Sequence, residues 1–155
     1  MKALLFLFLI GAFTMSSCKK NEFCEPSTFK APISEINALR TLLDNQNITY
    51  TEDSRGFFYE IKKLEQGEKP DVCSTVRVKY ELRLMNGNII ESTPDVTFQL
   101  GGLILGWQMG IPLIGKGSTI ILYLPPGLAY GAQATADIPA NSNLIFEIEL
   151  LDVFK

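Results

Sequence analysis

The stretch Gly106 to Gly131, GWQMGIPLIGKGSTIILYLPPGLAYG, holds the single tryptophan, several apolar runs and six glycines in close order. Trp107 stands between Gly106 and a short apolar segment that Pro112 stops, because proline has no N–H for a continuing helix and its ring clashes with the preceding turn. One brief helix with an indole near its start is expected. Beyond Gly115 and Gly117, the run Thr119 to Leu124 has the β-branched and apolar character of a buried strand. Pro125-Pro126-Gly127 then forces a turn that presents Leu128, Ala129 and Tyr130. An aromatic platform and a tyrosine thus lie on two sides of one strand, as at the floor of a pocket.

Outward from this floor the chain reads mostly as strands. Ser74 to Met85 alternates Val76, Val78, Tyr80, Leu82 and Leu84 with Arg77, Lys79, Glu81 and Arg83, a half-buried antiparallel strand. Asn86-Gly87 is a strong hairpin signal, in a turn type whose two central residues both need positive φ. Asn88 to Ser92 is the expected return strand, and Phe98 to Leu100 a separate short one ended by Gly101-Gly102. Asn143 to Val153 alternates Leu144, Phe146, Ile148 and Leu150 with Glu147 and Glu149, a final strand whose carboxylates read as a solvated face. On the N-terminal side, Phe57, Tyr59 and Ile61 alternate with Phe58, Glu60 and Lys62. Before them, Asn45 to Ser54 is a polar connection. Ile36, Leu39, Leu42 and Leu43 recur at helical spacing behind Ser34 as the expected N-cap, and this helix is expected to pack on the following domain. Asn21 to Pro32 is an extended tether. The sum is α+β: an antiparallel sheet with one short internal helix and an N-terminal helical extension.

The chain has 155 residues, 46% hydrophobic and 20% charged, with a formal net charge of -3, which suits one compact domain with an appendage and gives no sign of a nucleic-acid partner. No histidine is present, so imidazole triads and His-ligated metal sites are excluded, and three cysteines are too few for a four-thiolate zinc site. No metal or other cofactor is expected. Lys2 and the apolar run from Ala3 to Phe13 are far short of the ~20 residues of a bilayer span, and Met15-Ser16-Ser17-Cys18 places small residues before a cysteine. This resembles the lipobox of bacterial lipoproteins. It implies a signal peptide over residues 1–17, lipidation of Cys18, a tether and helical extension over 18–55 and a folded domain over 56–155. Attachment to a membrane facing the periplasm follows, with two acyl signals on one residue making it stable; an ordinary secretory signal is the alternative. Cys24 and Cys73 remain as an even pair in an oxidising compartment. They are either bridged, worth ~4 kcal/mol in the chain-entropy model, or two free thiols.

Several stretches carry a more specific message when taken in order: Val76-Arg77-Val78-Lys79-Tyr80, Ile90-Glu91-Ser92, Phe98-Gln99-Leu100-Gly101, Leu103-Ile104-Leu105-Gly106-Trp107, Gly110-Ile111 and Gly117. Pro125 before Leu128-Ala129-Tyr130-Gly131, then Ile138-Pro139 and the strand from Leu144 through Phe146 to Leu150, complete the series. Their order and spacing resemble the FKBP-type peptidyl-prolyl cis-trans isomerase family, over roughly residues 56–155. The resemblance implies a twisted antiparallel sheet wrapped around a short helix. It also implies acceleration of X-Pro bond rotation with proline-containing chains as substrates; with the lipobox reading the clients are exported proteins, and a monomer is expected. A binding module or chaperone with little turnover is the alternative.

The resemblance also assigns roles. Trp107 is the platform under the proline ring, with Tyr80 and Phe146 as walls. Leu103 and Ile104 line the rim, Ile104 also offering its backbone N–H. Tyr130 donates its hydroxyl to a substrate carbonyl, and Ile138 closes the pocket. Three positions depart from the family pattern. Ile90 and Glu91 stand for an aromatic and an aspartate, and Val96 for a pocket phenylalanine. The first and third thin the aromatic wall, and Glu91 keeps the charge on a longer arm, so a bond to Tyr80 has to be rebuilt.

Overall fold

The computed structural model of this chain describes residues 24–155. Residues 1–17, expected to be a signal peptide, and Cys18 lie outside the described residues. The elements are α1 (Ile33–Asn45), β1 (Thr51–Glu52), β2 (Phe58–Lys63), β3 (Thr75–Leu84), β4 (Ile89–Gln99), α2 (Leu105–Gly110), β5 (Thr119–Leu124) and β6 (Leu144–Phe154). The six strands form one antiparallel sheet in the order β1-β2-β5-β6-β3-β4.

Strict alternation sets the two faces of the sheet. Val76, Val78 and Leu82 of β3 are buried with Ile120, Leu122 and Leu124 of β5 and Leu144, Phe146, Ile148 and Leu150 of β6. Because side chains alternate along a strand, Lys79, Arg83, Glu147 and Glu149 share the opposite face. There Lys79 meets Glu149 at 4.0 Å and Arg83 meets Glu147 at 3.7 Å, so the glutamates are a solvated, ion-paired face.

The helix at Trp107 forms as expected and ends at Gly110; Pro112 follows inside a 3-10 turn, Ile111–Leu113. Gly106 and Gly110 are four apart and share a helix face. A Cβ at Gly106 would run into the Leu124 methyls, and one at Gly110 would lie 2.6 Å from Leu122 Cδ2. Both glycines are therefore needed for α2 to lie this close to β5.

Several local expectations are corrected. Pro32, not Ser34, is the N-cap of α1, and no side chain caps the helix; the Glu35 and Ile36 N–H groups donate to Pro32 O at 3.0 and 3.1 Å. Ile36, Leu39 and Leu43 are fully buried, whereas Leu42 is exposed. The polar connection contains β1, which pairs with β2. Phe57 precedes β2 rather than alternating within it, and both Phe57 and Phe58 are fully buried. Their opposite faces are each covered: the Tyr50 ring meets Phe58 edge-on at 4.9 Å and the Arg40 guanidinium lies 5.7 Å over it, while Arg55 lies 5.3 Å over Phe57. The N-terminal extension thus shares one sheet and one core with the rest of the chain.

Asn88 to Ser92 and Phe98 are not separate strands but parts of β4, which runs through Pro94. Proline is tolerated because β4 is an edge strand and the register shifts there, from Tyr80 opposite Thr93 to Val78 opposite Val96. At the β3–β4 hairpin only Gly87 has positive φ, at 89°. Its N–H donates to Leu84 O at 2.9 Å and Asn88 O accepts from Leu84 N–H at 3.0 Å. This is a type I turn closed by a left-handed glycine, so Asn86 needs no positive φ.

Gly106→Ala is expected to destabilise the fold by about 1–3 kcal/mol through overpacking against Leu124. Urea unfolding would measure this, and an unchanged midpoint would show that α2 has room to retreat.

Candidate active site

The close approach of α2 places Trp107, 3% exposed, beneath three rings from three strands. The indole lies 5.1 Å from Tyr80 of β3, 5.4 Å from Phe146 of β6 and 6.1 Å from Phe98 of β4, centroid to centroid. The interplanar angles are 88°, 88° and 83°. Such edge-to-face contacts are favoured by the ring quadrupoles. The result is a floor with upright aromatic walls, enclosing a cavity of about 190 Å³ lined by these four rings with Glu91, Leu103, Ile104 and Tyr130.

Leu103 and Ile104 reach the rim because the chain leaves β4 through a 3-10 turn, Leu100–Gly102, and Ile104 is the N-cap of α2. The Gln108 side-chain amide pins this approach by donating to Leu103 O at 2.7 Å and Gly101 O at 3.1 Å. Ile104 O accepts from the Trp107 and Gln108 N–H groups. The Ile104 N–H precedes the helical ladder and has no intrahelical acceptor to meet.

Tyr80, Glu91 and Tyr130 bring side-chain oxygens to the cavity. Tyr80 Oη donates to Glu91 Oε1 at 2.5 Å, so the longer arm of glutamate does rebuild this bond. Burial and then the Glu91 carboxylate push the Tyr80 phenol well above its ordinary range, because both oppose a phenolate. Tyr130, 40% exposed at the rim, is also raised, by partial burial and by Glu91 nearby. Both hydroxyls are therefore donors at neutral pH. Tyr80 spends its proton on Glu91, and Tyr130 forms no hydrogen bond from its own hydroxyl among the described residues.

Of the residues assigned from sequence, Tyr80, Glu91, Leu103, Ile104, Trp107, Tyr130 and Phe146 meet at this cavity. Ile90 and Ile138 do not line it. They line an adjoining hollow of about 290 Å³ with Leu82, Glu91, Tyr130, Thr135 and Asp137. Val96 lines neither; it is half-buried opposite Val78. The ring expected to be missing there is supplied two residues on by Phe98, which sequence reasoning placed on a strand but not in the site. Alternation from Val96 puts Phe98 on the same face, a signal hidden by reading Phe98 to Leu100 as a separate strand.

A further hollow of about 280 Å³ lies on the ion-paired face, lined among others by Lys79, Glu81, Arg83, Glu147 and Glu149. Among the described residues no group of three or more His, Cys, Asp or Glu could hold a metal, and no helix is long and apolar enough to cross a membrane. Cys24 and Cys73 are joined in a disulfide with their Cα atoms 4.6 Å apart.

A phenol raised above the unfolded value of about 10 contributes stability that is fully present below that pH and lost as pH rises through the raised value. Tyr80 is thus expected to stay protonated where exposed tyrosines ionise, and Glu91→Ala to bring its titration partway down, burial being the larger cause. Tyrosine Cζ chemical shifts followed against pH would check this. A Tyr80 titration unmoved by Glu91→Ala would remove the carboxylate from the account.

Comparison with known proteins agrees with this geometry. The sequence profile of the FKBP-type peptidyl-prolyl cis-trans isomerases matches residues 66–151. FKBP-type peptidyl-prolyl cis-trans isomerase FkpA of Buchnera aphidicola subsp. Schizaphis graminum is 43% identical over 105 residues, covering 64% of this chain and 42% of that protein. FkpA of Escherichia coli K12 is 39% identical over 104 residues, covering 64% of this chain and 38% of that protein. The chain therefore spans about two fifths of the length of these relatives. The crystal structure of FkpA from Escherichia coli superposes with a TM-score of 0.69 at 32% identity, over 79% of this chain and 58% of that one. A peptidyl-prolyl cis-trans isomerase from Pseudomonas syringae pv. tomato superposes with a TM-score of 0.70 at 30% identity, over 81% of this chain and 98% of that one. With the profile spanning more than half the chain and an aromatic cavity on the matched strands, this chain belongs to the FKBP-type peptidyl-prolyl cis-trans isomerase family.

Proposed function

We propose that this protein is a peptidyl-prolyl cis-trans isomerase for exported proteins, held at a membrane facing the periplasm by a lipid on Cys18. The observation that carries the catalytic reading is the Trp107 floor walled by Tyr80, Phe98 and Phe146, with Tyr130 as the donor left unspent at its rim.

Rotation about the X-Pro bond needs no nucleophile. Its barrier of ~18–20 kcal/mol is the loss of amide resonance. A proline ring seated on Trp107 is removed from water. In such a dry site the twisted amide, which has lost charge separation, is favoured relative to the planar one. Tyr130 Oη holds a substrate carbonyl on one side of the bond, and the Ile104 N–H is placed to hold another, so one side stays fixed while the other turns. Glu91 keeps Tyr80 upright and occupied, so the wall offers apolar surface to the ring. Lowering the barrier by only ~5 kcal/mol gives several thousand-fold acceleration. The absence of histidine is no obstacle to such chemistry.

In the membrane reading, Cys18 follows a short apolar run and small residues, and Lys19 and Lys20 stand next to it, where positive charge favours anionic headgroups. The Cys24–Cys73 disulfide fits an oxidising compartment.

A protease-coupled assay on a short X-Pro peptide is expected to show turnover for the wild type. Tyr130→Phe, losing one hydrogen bond to the reacting group, is expected to cost kcat/KM about ten-fold. Trp107→Phe, which shrinks the floor but keeps an apolar ring, is expected to cost more. Peptide binding without turnover in the wild type would leave a binding module or chaperone instead, and full activity in both variants would move the site elsewhere. For the anchor, Cys18→Ser is expected to shift the protein from the membrane fraction to the soluble one; retention of the variant with the membrane would refute lipid attachment at Cys18.

A further inference from the structure

The turn that carries Tyr130 is short of backbone donors. Pro125 and Pro126 have no N–H, so Gly127 brings the first free amide to the 3-10 turn Pro126–Leu128. Within the turn, the Leu128 N–H donates to Pro125 O at 3.1 Å, and the Ala129 and Gly131 N–H groups each donate to Pro126 O at 2.9 Å. The Gly127 N–H finds its acceptor elsewhere. It donates to Glu35 Oε2 at 2.7 Å, a carboxylate in the first turn of α1 and 92 residues away in sequence. A Cβ at position 127 would lie 3.0 Å from that oxygen and 3.2 Å from Pro32 Cδ, so glycine is what lets the helix end approach.

Tyr130 depends on this turn for its aim. Its side chain is 40% exposed and its hydroxyl is tethered to nothing among the described residues, whereas Leu128, two residues earlier, is fully buried. The backbone between Gly127 and Gly131 therefore decides where the hydroxyl stands. Docking of α1 does not need the carboxylate, because Ile36, Leu39 and Leu43 already bury the helix face. What the bond adds is a fixed orientation for the amide at the root of the turn, and charge-assisted bonds to backbone N–H are among the stronger ones.

We propose that Glu35 is a positioning residue for the isomerase site, holding the Gly127 amide so that the following turn aims the Tyr130 hydroxyl at the substrate carbonyl. The inference rests on the isomerase reading above, and it ties that site to a helix outside the profile-matched residues 66–151. The bond borders a hollow of about 290 Å³ lined by Ser34, Glu35, Ala38, Pro126, Asn141 and Asn143. Water can therefore replace the carboxylate in Glu35→Ala, and the fold survives.

The test combines resonances read without substrate with kinetics in two backgrounds. Glu35→Ala is expected to move both the Gly127 amide and the Tyr130 ring resonances. It is also expected to lower kcat/KM by roughly five- to ten-fold, the scale of one charge-assisted bond partly replaced by water. In a Tyr130→Phe background it should cost nothing further, because the two residues act as one unit. Glu35→Gln, whose amide oxygen still accepts, should lose less, and Gly127→Ala, which displaces the carboxylate from the other side, should reproduce the pattern. Tyr130 ring resonances that stay in place while the Gly127 amide moves would overturn the proposal. So would an equal loss from Glu35→Ala with and without the Tyr130 hydroxyl. A wild type that turns nothing over would sink the isomerase reading, yet the substrate-free resonances would still decide the role of Glu35.

Discussion

The structure depends on how closely α2 can lie against β5. Two glycines on one helix face meet Leu124 and Leu122, and no side chain larger than hydrogen fits between them. This contact fixes the height of the indole. Tyr80, Phe98 and Phe146 come from three different strands, and each meets the indole nearly at a right angle only if the indole lies at that level. A helix displaced outward by one methyl group would lose the ring contacts and open the floor to water. Packing of small residues therefore decides the chemistry, although no glycine touches substrate in the proposed mechanism.

The polar lining of the cavity is set by a second constraint, the competition for carboxylate. Glu91 accepts from Tyr80 at 2.5 Å and also lies close enough to Tyr130 to oppose its ionisation. One tyrosine is consumed by the wall and the other is left as a donor. An aspartate would be shorter by one methylene. The glutamate reaches the phenol because Glu91 pairs opposite Leu82, two residues from Tyr80 on the same face of β3, so the longer arm spans the diagonal between the strands. Sequence comparison at single positions thus understates what a bulged strand can restore, and the same strand brings Phe98 in where Val96 lacks a ring.

Legibility from sequence followed the strength of local signals. β3, β5 and β6 alternate or run apolar with little interruption, and their core faces were readable because period two leaves no freedom in side-chain direction. The helix at Trp107 was readable because Pro112 stops it. β4 was not, since Pro94 reads as a strand breaker unless the strand is known to lie at an edge. Nor was β1, which is two polar residues long and exists by pairing with β2. Ser34 is a good cap by composition, but the backbone of Pro32 already accepts the first helical bonds. At the site, Tyr80 and Phe146 converge on Trp107 because these three lie on strongly patterned strands and on α2, while Glu91, Leu103, Ile104 and Tyr130 join them from β4, the approach to α2 and the turn after β5. Ile90, Val96 and Ile138 fall outside it; β4 also carries Glu91 and Phe98 into the cavity, so which of its residues line the site was not legible without the register shifts along that strand.

The N-terminal segment changes meaning once it is seen as part of the core. Ile36 and Ala31 pack over Gly56, Tyr50 and Arg40 cover Phe58, and the Ala31 N–H donates to Arg55 O at 3.0 Å. The helix expected to pack on the following domain does so, burying Ile36, Leu39 and Leu43 in the common core. The disulfide ties down the segment before the helix as well, since Cys24 is fastened to Cys73, two residues before β3. With the proposed lipid on Cys18, only six peptide units separate the anchor from the first covalent attachment to the folded domain, a reach of at most about 20 Å. A domain anchored in this way would stay close to the membrane surface rather than sample the compartment, and its clients would be those whose proline-containing segments pass near that surface.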